Sequence, residues 1–437
     1  MRVAIVSLIG LAACSWSAFD TLGKDTPVTA FTNRAAGARV AVATDPDGRA
    51  FLALGGAPPD GTRFYAIGDG RAAPGGSPLT NAANCELRSE AIVAGSACMP
   101  TTTLAAVGPI RDGQTVRPAC FAIGYGRGAE GGSAIGPVVQ CTDGTVYTLG
   151  PAPADSALAT AFEARNETAI RGLELVVGAR AVATGRNPSL ILSNASEGRV
   201  FAYPEVGQGA AAVEIGRPTE AQGGRFGATV AIARAAGDEP RFVVGAPGSG
   251  RLFAFGGDPL AVVECWSGSP SLGDALATGD VDGDGLDEIL VRDGDVVRLL
   301  KPASGTGTCA PIPASAPTFR CSEERGLGCA GADFGRAIAV GDLDAAPPRE
   351  IAIGAPAATV DGVAQTGAVL IFDPGGALRD LRALGDLETG AGYGGALAIG
   401  AVAAQDTLFV GARGKGAGYA VWCPALPATP AGPRCRR

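Results

Sequence analysis

At 437 residues the chain exceeds what one simple core usually organises, so it holds two or three domains or one repeat array. Hydrophobic residues at 46% suffice for a buried core, whereas 67 Gly, 31 Pro and only 5% aromatic residues indicate many short elements joined by turns, not long helices. A formal charge of −8 disfavours nucleic acid as a partner, and the lack of any histidine excludes Ser-His-Asp and Cys-His catalysis and His-ligated zinc, leaving carboxylate or lysine chemistry open.

Arg2 precedes an apolar run over 3–13, too short for a stable membrane anchor. It ends Leu11-Ala12-Ala13-Cys14, which resembles a bacterial lipobox. The resemblance implies a signal peptide at 1–13, a diacylglyceryl group on the Cys14 thiol and a tether over 14–25. The product would be exported and lipid-anchored in the bacterial envelope, at the outer membrane or cell surface. Ordinary cleavage with Cys14 as an incidental thiol is the alternative. No later segment reaches about 18 uninterrupted apolar residues, so membrane contact is expected through the lipid alone. Ten other cysteines remain, an even number that suits disulfides in an exported chain. The nearest sequence neighbours are Cys85–Cys98, Cys120–Cys141, Cys265–Cys309, Cys321–Cys329 and Cys423–Cys435, although ten cysteines permit many pairings. None has CxxC spacing, which disfavours redox catalysis and a zinc ribbon.

Short apolar runs recur along the chain, most of them ending in Gly-Ala or a close variant. They include Phe51-Leu-Ala-Leu-Gly-Gly56, Phe121-Ala-Ile-Gly124, Leu175-Val-Val-Gly178, Phe242-Val-Val-Gly245, Ile289-Leu-Val-Arg292, Ile351-Ala-Ile-Gly354 and Leu408-Phe-Val-Gly411. These seven anchors lie roughly 59 residues apart on average, the size of a four-stranded propeller blade. A second landmark precedes the later anchors: Phe226-Gly227, Leu272-Gly273, Phe334-Gly335 and Tyr393-Gly394, each leading into small and apolar residues suited to an innermost strand. A third follows the anchors, a glycine turn and an apolar strand such as Gly250-Arg-Leu-Phe253 or Gly367-Ala-Val-Leu370. Fourth strands are weaker, at 261–265 and 378–384. The last repeat runs out before its fourth strand, which residues 26–31 could supply to close the ring.

The Phe-Gly and Gly-Ala-Pro landmarks resemble FG-GAP repeats, the units of the integrin α-subunit head and of many bacterial surface proteins. The match runs from about residue 222 to the end and is weak before 150, where a disulfide-rich insert over about 80–120 interrupts it. The expected fold is an all-β, seven-bladed β-propeller over 26–423, with six or eight blades as alternatives and a C-terminal tail at 424–437.

The sharpest motif is Asp280-Val281-Asp282-Gly283-Asp284-Gly285-Leu286-Asp287-Glu288, between two predicted strands. Carboxylates at its positions 1, 3 and 5, a glycine at 6, a carbonyl at 7 and a carboxylate at 9 suit Ca2+. The resemblance to integrin-type hairpin loops implies as ligands Asp280, Asp282, Asp284, the Leu286 carbonyl and Glu288, with Asp287 able to swap roles with Glu288. Magnesium wants fewer protein ligands and more water. A metal-free acidic turn is the competing reading. The next repeat offers Asp342, Asp344 and Glu350 but Ala346 and Pro347 between them, and reads as a remnant. Asp45-Pro-Asp47-Gly48 reads as a turn, and Trp266 and Trp422 as blade caps before sugar platforms.

These features point to a non-catalytic, calcium-stabilised binding or adhesion module, with a protein or polysaccharide ligand at the envelope and no catalytic residues. A carboxylate-dependent lyase or hydrolase on the same scaffold is the alternative.

Overall fold

Runs rich in Val, Ile, Phe and Ala, closed off by glycine turns, favour short extended segments buried on both faces. A computed structural model of the chain describes residues 28–32, 39–45, 49–55, 63–67, 101–113, 115–125, 138–143, 145–148, 175–180, 187–194, 198–207 and 212–421, the last with breaks at 303–306, 324–325, 345–346, 384–386 and 403–404. The signal-like segment, Cys14, Cys85, Cys98, Trp422, Cys423 and Cys435 lie outside the described residues. So does the whole tail. Among the described residues, no helix is long and apolar enough to cross a membrane.

The strands assemble into successive antiparallel sheets of a β-propeller. The first sheet holds Arg39–Thr44, Ala50–Gly55 and Arg63–Ile67. Thr101–Asp112 opens the second, Leu175–Arg180 the third and Thr229–Arg234 the fourth. Leu276–Gly279 opens the fifth, Ile338–Gly341 the sixth and Tyr393–Val402 the seventh. In each sheet this opening strand is innermost and touches the opening strand of the next, the seventh returning to the first. Side chains mark the circuit. A Cβ on Gly279 would meet Val340, one on Gly341 would meet Ile399, and one on Gly400 would meet Val42.

Counted on the described strands, six of these sheets have four or more, so the ring shows six blades, the alternative count, and not the seven expected; the sheet over 39–67 has three. The second correction concerns the expected insert. Its latter part is blade, because 101–112 and 115–125 pair as the two longest strands of the second sheet. The weak fourth strands at 261–267 and 378–382 do form. Residues 28–32 pair antiparallel with Ala417–Val421, Val28 opposite Val421 and Thr32 opposite Ala417, so both ends of the ring share one sheet.

The two glycine landmarks meet at the junctions between sheets. Gly227, Gly273, Gly335 and Gly394 have φ of 87°, 90°, 84° and 89°, which side-chain-bearing residues rarely adopt. A Cβ on Gly245 would lie 2.5 Å from the Gly273 carbonyl oxygen of the next sheet, and one on Gly354 would run into the Gly394 carbonyl oxygen. The repeat signature is therefore a contact signature: neighbouring backbones approach where no side chain stands between them. Apolar side chains fill the remaining space. Between the fifth and sixth sheets, Leu290, Val297 and Phe319 pack with Ile351, Ile353, Leu370 and Phe372. The Phe319 and Phe372 rings meet edge-on at 5.5 Å, an arrangement that adds about 1 kcal/mol beyond area burial.

Among the described residues, three disulfides, Cys120–Cys141, Cys265–Cys309 and Cys321–Cys329, join sequence neighbours. The second staples Cys309–Pro311 parallel to Ala261–Ser267, covering the outer edge of the fourth sheet. Trp266 is buried in the core between the fourth and fifth sheets, as a cap.

Candidate functional site

The loop over 280–288 joins the innermost strand of the fifth sheet to its neighbour, with Gly279 paired to Glu288 at the hairpin base. Tight turning falls to Gly283 and Gly285, at φ 83° and 86°. Backbone amides then orient the acids. Gly283 N–H donates to Asp280 Oδ1 at 2.8 Å, and Gly285 N–H donates to Asp280 Oδ2 at 3.2 Å. Val281 N–H donates to Glu288 Oε2 at 2.8 Å, turning this buried carboxylate into the loop.

Asp280, Asp282 and Glu288 each place an oxygen within 4.8 Å of the other two. Three hard oxygen donors at that separation fit a divalent cation such as calcium. Asp284 is not in this group; its Oδ1 accepts the Leu286 N–H at 2.8 Å. The Leu286 side chain is exposed. Asp287 turns the other way. Its Oδ2 accepts the Arg234 N–H at 2.5 Å, and its own N–H donates to the Arg234 carbonyl at 3.0 Å. Adjacent strand residues face opposite sides, so Asp287 clasps the fourth sheet while Glu288 faces the loop. Asp406 repeats the clasp one repeat further on from the sixth sheet, its Oδ2 accepting the Asp342 N–H at 2.8 Å.

One cation is already there. Lys301 ion-pairs with Asp282, and its Nζ lies 3.7 Å from Glu288 Oε1. The hydrogen bond from Lys301 holds the Asp282 carboxyl below its ordinary range, while burial pushes Glu288 up. Sequence spacing missed Lys301 because it reaches the loop across the hairpin.

The loop read as a remnant has the same geometry. Asp342, Asp344 and Glu350 also come within 4.8 Å of one another. Leu343 N–H donates to Glu350 Oε2 at 2.8 Å, the counterpart of the Val281 bond. Burial first, with Asp344 and Asp342 adding repulsion, pushes Glu350 up to about 7. Asp342 Oδ1 is buried without a hydrogen-bond partner. Replacing Gly285 by Pro347 therefore leaves the three-acid cluster intact, since the positions that define it lie at the loop's two ends. Asp45 makes a local turn, accepting the Arg49 N–H at 2.8 Å.

No family model and no curated protein matches the chain. Among solved structures, BBS1N in complex with ARL6DN, soaked with mercury, aligns with a TM-score of 0.51 and 12% identity, covering 92% of this chain and 96% of that one. The lead-soaked crystal of the same complex gives a TM-score of 0.49 and 12% identity, covering 88% and 91%. At that identity the likeness is one of fold, and the fold is a β-propeller.

Proposed function

We propose that this chain is a non-catalytic, calcium-stabilised propeller of FG-GAP type that presents its loops to a protein partner. The reading rests on one observation: two adjacent repeats gather the same three acids, at the same positions, around the same backbone donor. Repetition suits a structural cation site in a repeat fold; a catalytic acid has no need of a second copy in the next blade. Asp280, Asp282 and Glu288 would hold one ion and Asp342, Asp344 and Glu350 another, with the Asp284 and Leu286 oxygens completing the first shell after local adjustment. The ion would neutralise carboxylates that otherwise repel and tie each hairpin loop to its strand ends.

The ring counts six full blades, and the innermost strand of the three-stranded sheet over 39–67 lies between those of the second and seventh sheets. The lipobox-like leader supports export and lipid anchoring at Cys14, and the BBS1N propeller, solved with ARL6DN bound, offers a precedent for a protein ligand over a polysaccharide. One observation favours carboxylate catalysis instead, the Glu350 carboxyl poised at about 7. Its neighbours Asp342 and Asp344 are better explained as fellow ligands.

Calcium at a hundred times its Kd should stabilise the fold by about 2.7 kcal/mol per site, by mass action. Differential scanning calorimetry in calcium and in excess chelator tests this. Coincident melts would remove the calcium reading.

A further inference from the structure

We propose that Lys301 is a tethered competitor for the cation of the 280–288 loop, an ammonium that must leave its carboxylates for a metal to bind. The inference rests on the calcium reading above and adds its regulation. Lys301 directly follows the strand Val296–Leu300, whose Leu300 pairs with Ile289, so it stands across the hairpin from Glu288. Its ammonium contacts Asp282 and sits 3.7 Å from Glu288 Oε1. Those are two of the three acids that define the cluster. A divalent ion touching both would occupy the space the ammonium fills, and two cations there repel. The lysine side chain is 63% exposed, so it can swing into solvent without unpacking anything.

The adjacent repeat supplies an internal control. Phe372 pairs with Ile351, which puts Asp373 across from Glu350 where Lys301 faces Glu288. Asp373 instead accepts the Ala377 N–H at 2.9 Å and the Arg379 Nε at 3.2 Å. The two loops thus share their acids and differ in the opposing charge. The motif that is complete by sequence carries its own rival, and its metal affinity is held down relative to what its acids would give alone.

The experiment uses full-length protein carrying Asp342→Asn and Asp344→Asn, so that only the 280–288 loop reports. Calcium binding is measured by isothermal titration calorimetry at low salt, with Lys301 and with Lys301→Met. The methionine variant should bind about two- to fivefold more tightly, the range expected for losing one exposed ion-pair competitor. A second readout needs no change at position 301. Lys24, Lys301 and Lys415 are the only lysines in the chain, so amine labelling followed by mass spectrometry resolves each one. Calcium should speed labelling at Lys301 and leave Lys415, paired with Glu388, unchanged. Equal affinities with unchanged labelling would overturn the competitor role and leave the calcium reading standing. Absence of calcium binding in both proteins would overturn the competitor role together with calcium at the 280–288 loop.

Discussion

At the residue scale, carboxylates one position apart do different work. Asp287 is fully buried and bonded to the Arg234 backbone, whereas Glu288 faces the loop. Asp287→Ala should therefore cost about 1–3 kcal/mol in chemical denaturation whether calcium is present or chelated, because it orphans the half-buried Arg234 backbone donor. Asp280→Asn with Asp282→Asn should leave the chelated protein near its original stability and shrink the calcium-induced gain; denaturant midpoints with and without chelator separate the two. Glu350 gives a pH signature. Its folded pKa, about 7, lies above the unfolded value of an ordinary glutamate. The folded state thus holds the extra proton between pH 4.5 and 7, and metal-free stability falls as pH rises through that window. Glu350→Gln should remove this slope and gain about 1–3 kcal/mol at pH 8 in chelator, read from urea melts at pH 5 and pH 8. The acids themselves were legible in the sequence because their spacing is short. Asp287 was read as able to swap roles with Glu288, and its bonds to the Arg234 backbone correct that, because the neighbouring sheet that it clasps is not visible in the local spacing. Lys301 was not legible, since its meeting with Asp282 depends on the register of the hairpin.

At the scale of the element, glycine carries the repeat. The sequence displays Phe-Gly and Gly-Ala-Pro landmarks because both glycines sit at the same junction, one for its φ and both for their missing side chains. The fifth sheet shows what happens without the second glycine. Arg292 stands at the anchor position, its Cγ would lie 3.3 Å from a Cβ on Gly335, and its guanidinium reaches Asp333 at 2.6 Å. That substitution was readable as a departure from the repeat, and the ion pair explains how the junction tolerates it. In the first 150 residues no Phe-Gly precedes the anchors, so strand boundaries there could not be read, and 101–112 passed for part of an insert. Gly354→Ala would drive a methyl group into the Gly394 carbonyl, with backbone on both sides and no flexible side chain to yield. The expected cost is about 2–4 kcal/mol, seen as a lower denaturant midpoint. Gly283→Ala, with nothing within 4 Å of the added carbon, isolates the cost of φ alone and should lose about 1 kcal/mol.

At the scale of the molecule, the decisive feature is how the ring shuts. Three strands of the seventh sheet come from the end of the described chain and the fourth from its beginning. Each innermost strand also leans on the next, Thr44 Oγ1 donating to the Ala401 carbonyl at 3.3 Å where the circuit returns. A ring held this way stores cooperativity in its closure, because opening the joint frees both ends of the chain at once. Removing residues 28–32 would leave Ala417–Val421 as an open edge, with five backbone pairings lost and unpaired N–H and C=O groups facing solvent. The truncated protein should melt earlier and over a broader range than the intact chain, and its exposed edge should drive self-association, visible by light scattering below the main unfolding transition. Adding back a free peptide with the sequence of 28–32 should suppress that association by re-pairing the edge, which a generally misfolded truncation would not allow. A truncated chain that melts at the original temperature and stays monomeric would mean that apolar packing between the first and seventh sheets, Val42 and Leu54 against Ala396 and Phe409, closes the ring without the shared strand.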